Sequence, residues 1–371
     1  MICSGFARRR RGVKPNARNG SCYAGRCPEM PLKVRPLSPT RSALSSVVGR
    51  AGCVIGRNLC AWGGLALLLS IGEAATEVPA SLPPGSRVIA EQEPITAIPP
   101  PPAAMPSKLA LGERLFEDTR LSHDGTRACS SCHDIHSNGA DGNQRDTAPD
   151  GSRLAFNTTT VFNAALSFRF NWEGNFRTLE AQAEASLDNP GVMATSIDEV
   201  IGRLNADPET VHRFTEAYGH GPDREGLLDA IATYERSLLT PASRFDRWLD
   251  GDCEALSAQE RNGYQLFKSL GCSSCHQGVN VGGNLYERHG IFHPLASPKP
   301  EVLRVPSLRN VATTPPYFHD GSAPTLSEAV RRMASAQLDQ TLSDQQIDAI
   351  VAFLGTLTGT YRAATVSVAP R

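Results

Sequence analysis

The sequence predicts a mainly α-helical protein made of two related halves, and three observations carry that prediction. Apolar residues recur at helical spacing in seven segments, strand-like alternation is scarce between them, and one short pattern occurs twice ahead of the same cysteine and histidine motif. A chain of 371 residues is long enough for about two domains of ordinary size, and a hydrophobic content of 40 % is enough to bury a core.

Residues 1–75 read as an N-terminal extension that ends in a signal peptide near 56–75. The apolar run from Ala61 to Ile71 lies between Arg57 and the small-residue stretch Gly72-Glu-Ala-Ala75, as in a secretory segment. An uncleaved membrane anchor is the competing reading, weakened because the run is short for a bilayer span. The Arg-rich stretch before it has no periodicity, and a start near Val48 or Val54 would place Arg50 and Arg57 directly ahead of the run. Export to the periplasm is therefore expected. Removal of residues 1–74 takes away twelve Lys or Arg and two acids, leaving 25 bases against 36 acids. This acidic balance argues against nucleic acid as a partner.

Residues 76–106 are dense in proline, including Pro99 to Pro102, and read as an extended linker. Two domains are expected after it, 107–242 and 243–359, divided by Thr240-Pro241, with a tail at 360–371. The first takes its helical periodicity from Leu109–Phe116, Leu179–Leu187, Val200–Leu204 and Leu227–Leu239. The second takes it from Gln259–Leu270, Leu326–Met333 and Ile347–Leu357. Ser196, Ser257 and Ser343 stand where helix caps are needed. The loops 138–160 and 278–306 are long and rich in Gly, Asn and Pro, which requires something to order them.

The repeated pattern is Gly112-Glu-Arg-Leu115-Phe116 before Cys129-Ser-Ser-Cys132-His133, and Gly263-Tyr-Gln-Leu266-Phe267 before Cys272-Ser-Ser-Cys275-His276. Two thiols three residues apart on one helical turn can add to both vinyl groups of a haem while the adjacent histidine reaches the iron. A single copy could be half of a zinc site, but two copies on an exported chain point to covalently bound haem c in each domain. His133 and His276 are then the proximal iron ligands, and the loops gain the core they lack. Five further cysteines lie before residue 75, and Cys253 remains as an expected passive thiol.

Beyond the two motifs the chain holds Met193 and Met333 as candidate sixth ligands. Met333 follows the second motif on an amphipathic stretch, where an ordinary core methionine is equally in keeping. Met193, in Asn189-Pro-Gly-Val-Met193, has a turn-like setting that suits either role. Spacing leaves both open.

With the two motifs, Leu111-Gly-Glu-Arg-Leu-Phe116, Thr160-Val-Phe-Asn-Ala164, Asn171-Trp-Glu-Gly174, Leu179-Glu-Ala-Gln182, Arg244-Phe-Asp-Arg247, Pro306-Ser-Leu-Arg-Asn-Val311 and Pro316-Tyr-Phe-His-Asp-Gly321 in order, residues 107 to 359 resemble the bacterial dihaem cytochrome c peroxidases. The resemblance implies that the first haem reduces hydrogen peroxide. It implies that the second, held by His276 and Met333, receives electrons from a small cytochrome c or cupredoxin. It places Trp172 between the haems, Gln182 beside the peroxide, and His319 and Arg304 near the interface in supporting roles. It also implies a calcium ion held by Asn157, Thr314 and Pro316, and it leaves a homodimer open.

Two departures from the family follow from the same alignment. Pro149 stands where many members carry a histidine that blocks the first iron until reduction, and His136 falls too early to replace it. An open or water-bound first haem is expected in the oxidised protein. Val192 stands where the family has its acid/base glutamate, and a valine carries no proton; Glu184 and Asp188 are the nearby carboxylates that could replace it. A non-peroxidatic electron-transfer or redox-sensing cytochrome is the second functional reading. A dihaem oxidase that modifies a protein partner is the third, weakened because such relatives place tyrosine where Met333 stands.

Overall fold

A glycine at each of two helix crossings sets the architecture of both halves. In the computed structural model, which describes residues 93–296 and 299–369, α1 (Pro106–Phe116) crosses α5 (Arg224–Ser237) and α7 (Ala258–Ser269) crosses α9 (Asp344–Gly355). A Cβ on Gly112 would lie 2.0 Å from the Ala230 carbonyl oxygen, and one on Gly263 would lie 1.9 Å from that of Ala349. The backbones meet where a side chain would not fit. One turn further on, Phe116 packs edge-on against Tyr234 and Phe267 against Phe353, with ring centroids 5.3 Å and 5.2 Å apart. The repeated Gly-x-x-Leu-Phe segment is thus one packing unit used twice.

The first half adds α2 (Leu179–Asp188), α3 (Ile197–Asn205) and α4 (Pro208–Tyr218), and the second adds α6 (Arg244–Leu249) and α8 (Leu326–Leu338). The cap serines act as expected: the hydroxyls of Ser196, Ser257 and Ser343 accept from the backbone N–H groups of Glu199, Glu260 and Gln346. Strand is minor among the described residues. It comprises two antiparallel pairs, β1 (Tyr286–Arg288) with β2 (Val302–Arg304) and β3 (Thr360–Tyr361) with β4 (Ala364–Thr365). The core follows the same division, one large cluster running from Phe245 to Leu357 and others lying between Leu111 and Leu238.

The described residues form one compact unit, and the seam between its halves is polar and buried. Asn163 and Asn310 meet in that seam, where both side-chain amides donate to the Thr240 hydroxyl, and each ties its own half in a matching way. The Asn163 backbone N–H donates to the Leu238 carbonyl and that of Asn310 to Leu357. Their side-chain oxygens accept from the backbone N–H groups of Thr240 and Gly359, and both residues have φ near +60°, which asparagine tolerates better than most. Arg309 of the Pro306–Val311 segment donates to Asp246 at 2.8 Å, both side chains being almost wholly buried. Two sequence motifs far apart in the chain are joined by that pair.

Part of the proline-rich stretch differs from the free linker expected. Ile95 and Ile98 are buried, Ile95 within the second core, and the Arg309 guanidinium donates to the Thr96 carbonyl at 2.7 Å. Glu93 accepts from Tyr264 and Lys268. The proline spacing keeps the backbone extended, as read, but two isoleucines three residues apart give it a side that buries. Cys253 also departs from the passive thiol expected, since it is disulfide-bonded. The segment near 56–75, expected to be a signal peptide, lies outside the described residues, among which no helix is long and apolar enough to cross a membrane.

Candidate active site

The two Cys-x-x-Cys-His segments fold alike. Cys129–Ser131 and Cys272–Ser274 form single 3₁₀ turns, after which each histidine backbone N–H donates to the carbonyl of the first cysteine at 3.0 Å. His133 Nδ1 faces the Gly139 carbonyl at 3.3 Å and His276 Nδ1 faces that of Val281 at 3.4 Å. A ring that gives its Nδ1 proton to a carbonyl presents a bare Nε2 to a metal. Burial pushes the His276 imidazole down to about 4 and the His133 imidazole in the same direction, so both rings are neutral, as iron ligation requires.

Both histidines border one cavity of about 610 Å³. Val161, Phe162 and Leu179 line it beside His133, and Phe267, Leu342, Ile350 and Leu354 line it beside His276. An apolar slot with a neutral histidine at each end fits a haem at each; Cys272 and Cys275 border the slot directly, and Cys129 and Cys132 stand on the turn just before His133. Cys129, Cys132 and His133 would hold the first and Cys272, Cys275 and His276 the second.

The two methionines separate clearly. Met333 on α8 is half-buried and borders the cavity with His276, where it is available as the sixth ligand. Met193 is 4 % exposed, packs in the core with Leu187 and Val200, and does not border the cavity. The turn before it supports packing.

Between the two ends stands an aromatic group. Trp172 donates its indole N–H to the Asn157 carbonyl at 2.8 Å and lies edge-on to His319, ring centroids 6.2 Å apart. His289, which the sequence reading passed over, lies 4.7 Å from His319. Arg304 is 7 % exposed and donates to the Asn171 carbonyl, so its charge borders the cavity at the same level.

The three candidate calcium ligands, Asn157, Thr314 and Pro316, border the cavity too, and the Asn157 backbone N–H donates to the His319 carbonyl. Its side-chain amide donates to the Asn143 and Gln144 carbonyls at 3.0 and 3.2 Å, which leaves the amide oxygen for a cation. Among the described residues no group of three His, Cys, Asp or Glu could hold a metal. A hard cation here would rest on neutral oxygens.

Gln182 borders the cavity from α2, its amide donating to Ser186 at 2.8 Å. Val192 packs against the apolar core. Neither candidate carboxylate replaces it: Glu184 is held by Arg224 at 2.9 Å, and Asp188 is exposed at the end of α2. Among the described residues, none between 134 and 156 borders the cavity, so neither His136 nor Pro149 reaches the first haem position.

Of the two glutamates that border the cavity, Glu287 on β1 lies near Cys275 of the second motif, and Glu235 on α5 is 8 % exposed with its Oε2 unpartnered. The sequence reading passed over it inside the stretch Leu227–Leu239. Its signal was position: it follows Leu228 and Ile231 and precedes Leu238 on the apolar stripe, where a charge is out of place.

This geometry has counterparts. Residues 106–254 match the family described as "Di-haem cytochrome c peroxidase" and residues 260–358 match "Cytochrome c". The chain is 40 % identical over 287 residues to cytochrome c peroxidase Ccp of Escherichia coli strain K12, covering 72 % of this chain and 62 % of that protein. It is 38 % identical to cytochrome c551 peroxidase of Nitrosomonas europaea, covering 72 % of this chain and 84 % of that one. This chain belongs to the dihaem cytochrome c peroxidase family. As such it carries two haem c groups and is an oxidoreductase of the peroxidase class. The crystal structure of a MauG-like protein associated with microbial copper homeostasis aligns with a TM-score of 0.61 at 26 % identity, covering 71 % of this chain and 94 % of that one. The family architecture of two helical haem domains therefore extends to relatives of other roles. With respect to the E. coli protein, this chain spans under two thirds of the length.

Proposed function

We propose that this chain reduces hydrogen peroxide to water in the periplasm with electrons from a small cytochrome c or cupredoxin. The observation that carries the proposal is the single cavity that runs from His133 to His276 with Met333 at one end and no side chain of 134–156 at the other. A His/Met pair raises an iron's potential, while an iron without a sixth protein ligand can accept peroxide. His276 and Met333 suit electron entry, Trp172 and His319 fill the space between, and Gln182 orients the oxidant over His133. Asn157, Thr314 and Pro316 hold a calcium ion that ties the first half to the second.

Steady-state oxidation of reduced cytochrome c by hydrogen peroxide, on holoprotein expressed from about Thr76, tests this. Rapid turnover supports the proposal. Two haems that exchange electrons with the donor but show no peroxide-dependent turnover would instead favour an electron-transfer or sensing cytochrome. That second reading draws on one observation, that Val192, Glu184 and Asp188 offer no free carboxylate to the cavity.

A further inference from the structure

We propose that Glu235 is a redox-linked proton site of the first haem cavity, its carboxylate taking up one proton from solvent as the first haem gains an electron and releasing it when that electron leaves. The inference rests on the dihaem reading above and extends it to a residue with no other role in the fold. Glu235 borders the same cavity as His133 and Gln182, is more than nine-tenths buried, and has one carboxyl oxygen without a hydrogen-bond partner.

A carboxylate so placed has lost water without gaining donors, and burial, reinforced by Glu180, pushes it up to about 8 against a weaker opposing pull from Arg236. The charges on the surrounding elements are already matched. Arg236, its neighbour on α5, is held by Glu180 of α2. Glu184 of α2 is taken by Arg224, Lys108 of α1 by Asp229, Glu113 of α1 by Arg362, and Arg203 of α3 by Glu199. Glu235 is close enough to Cys129 to push that thiol up, which places its charge beside the haem-attachment segment.

Arg169, Glu287, His289, Arg304 and His319 border the same cavity in both oxidation states, and the charge that differs between those states is the one the electron brings. An electron arriving there removes one positive charge and favours the neutral acid, while an electron departing favours the carboxylate. The step balances: one electron comes from the donor, one proton from solvent, and one O–H bond forms at the carboxyl. The proton is then held in the cavity that Gln182 borders, in a chain whose Val192 can hold none.

Spectroelectrochemical titration of the holoprotein between about pH 6 and pH 9 tests the assignment across the window in which such a carboxyl titrates. In the wild type the potential of the first haem should fall as pH rises, approaching one proton per electron. Glu235→Gln, which keeps the shape but cannot titrate, should lose most of that slope and leave the second haem unchanged. Equal slopes in the two proteins overturn the proposal. Should the variant fail to mature, reduced-minus-oxidised infrared spectra of the wild type decide it: a protonated-carboxyl band should grow on reduction, and no such band overturns it. Neither measurement uses peroxide, so a protein that is no peroxidase fails the earlier assay while this test still reads.

Discussion

Met333 and Met193 have the same chemistry and similar spacing from their motifs, yet one faces the cavity and the other fills a core. Met333→Ala should therefore remove one low-spin haem from the visible spectrum and slow electron entry from the donor. Unchanged spectra would discard it as a ligand. Val192, which packs against the apolar core where the family resemblance expects an acid/base glutamate, yields a second expectation at this scale. General acid–base help is worth roughly 10²–10⁴ in rate, and Val192→Glu should raise peroxide turnover by at least about tenfold if the missing proton relay limits the wild type. A variant no faster than wild type would mean that another group already moves the proton. The ligands were legible because covalent attachment demands a fixed local spacing. The carboxyl of Glu235 was not, because its meaning comes from α2 and the cavity wall packed around it, and neither is local in sequence.

At the scale of elements, the Gly-x-x-Leu-Phe repeat was legible as a repeat but not as a crossing. Periodicity shows which face of a helix is apolar, whereas the partner at closest approach is set by tertiary packing. The structure assigns that role to Gly112 and Gly263. Gly263→Ala puts a methyl against the Ala349 carbonyl, and forcing the helices apart should cost about 1–3 kcal/mol, as overpacking commonly does. Helix propensity works the other way by up to about 1 kcal/mol in favour of alanine. The net expectation is a lower melting temperature for Gly263→Ala and, by the same contact with Ala230, for Gly112→Ala. A melting temperature equal to or above that of wild type in either variant would show that the crossing relaxes without cost. The proline-rich stretch teaches the complementary lesson: composition predicted its extended backbone, but not that Arg309 would bind the Thr96 carbonyl and draw Ile95 into the second core.

Across the whole molecule, the loop 138–160 touches the first haem position at Gly139 and at 157–160, while its middle, 140–156, stays out of the cavity and the loop is tied to the second half. The Asn138 amide donates to the Thr313 carbonyl at 2.7 Å, Gln144 donates to that of Asp320, and the Asn157 backbone N–H donates to that of His319. These bonds, together with the calcium proposed at Asn157, Thr314 and Pro316, keep residues 140–156 out of the cavity, and Pro149 offers no imidazole even if that part were released. An oxidised protein built this way has nothing to remove before peroxide binds. It should show a high-spin first haem at rest and begin turnover without a lag, and prior reduction by the donor should leave the initial rate unchanged. Stopped-flow mixing of the fully oxidised and half-reduced forms with peroxide reads both points. A low-spin resting spectrum, with a rate that rises only after reduction, would mean that the loop does reach the iron. Removing calcium with a chelator separates the two supports: if the hydrogen bonds suffice, the absence of a lag survives chelation even as the melting temperature falls.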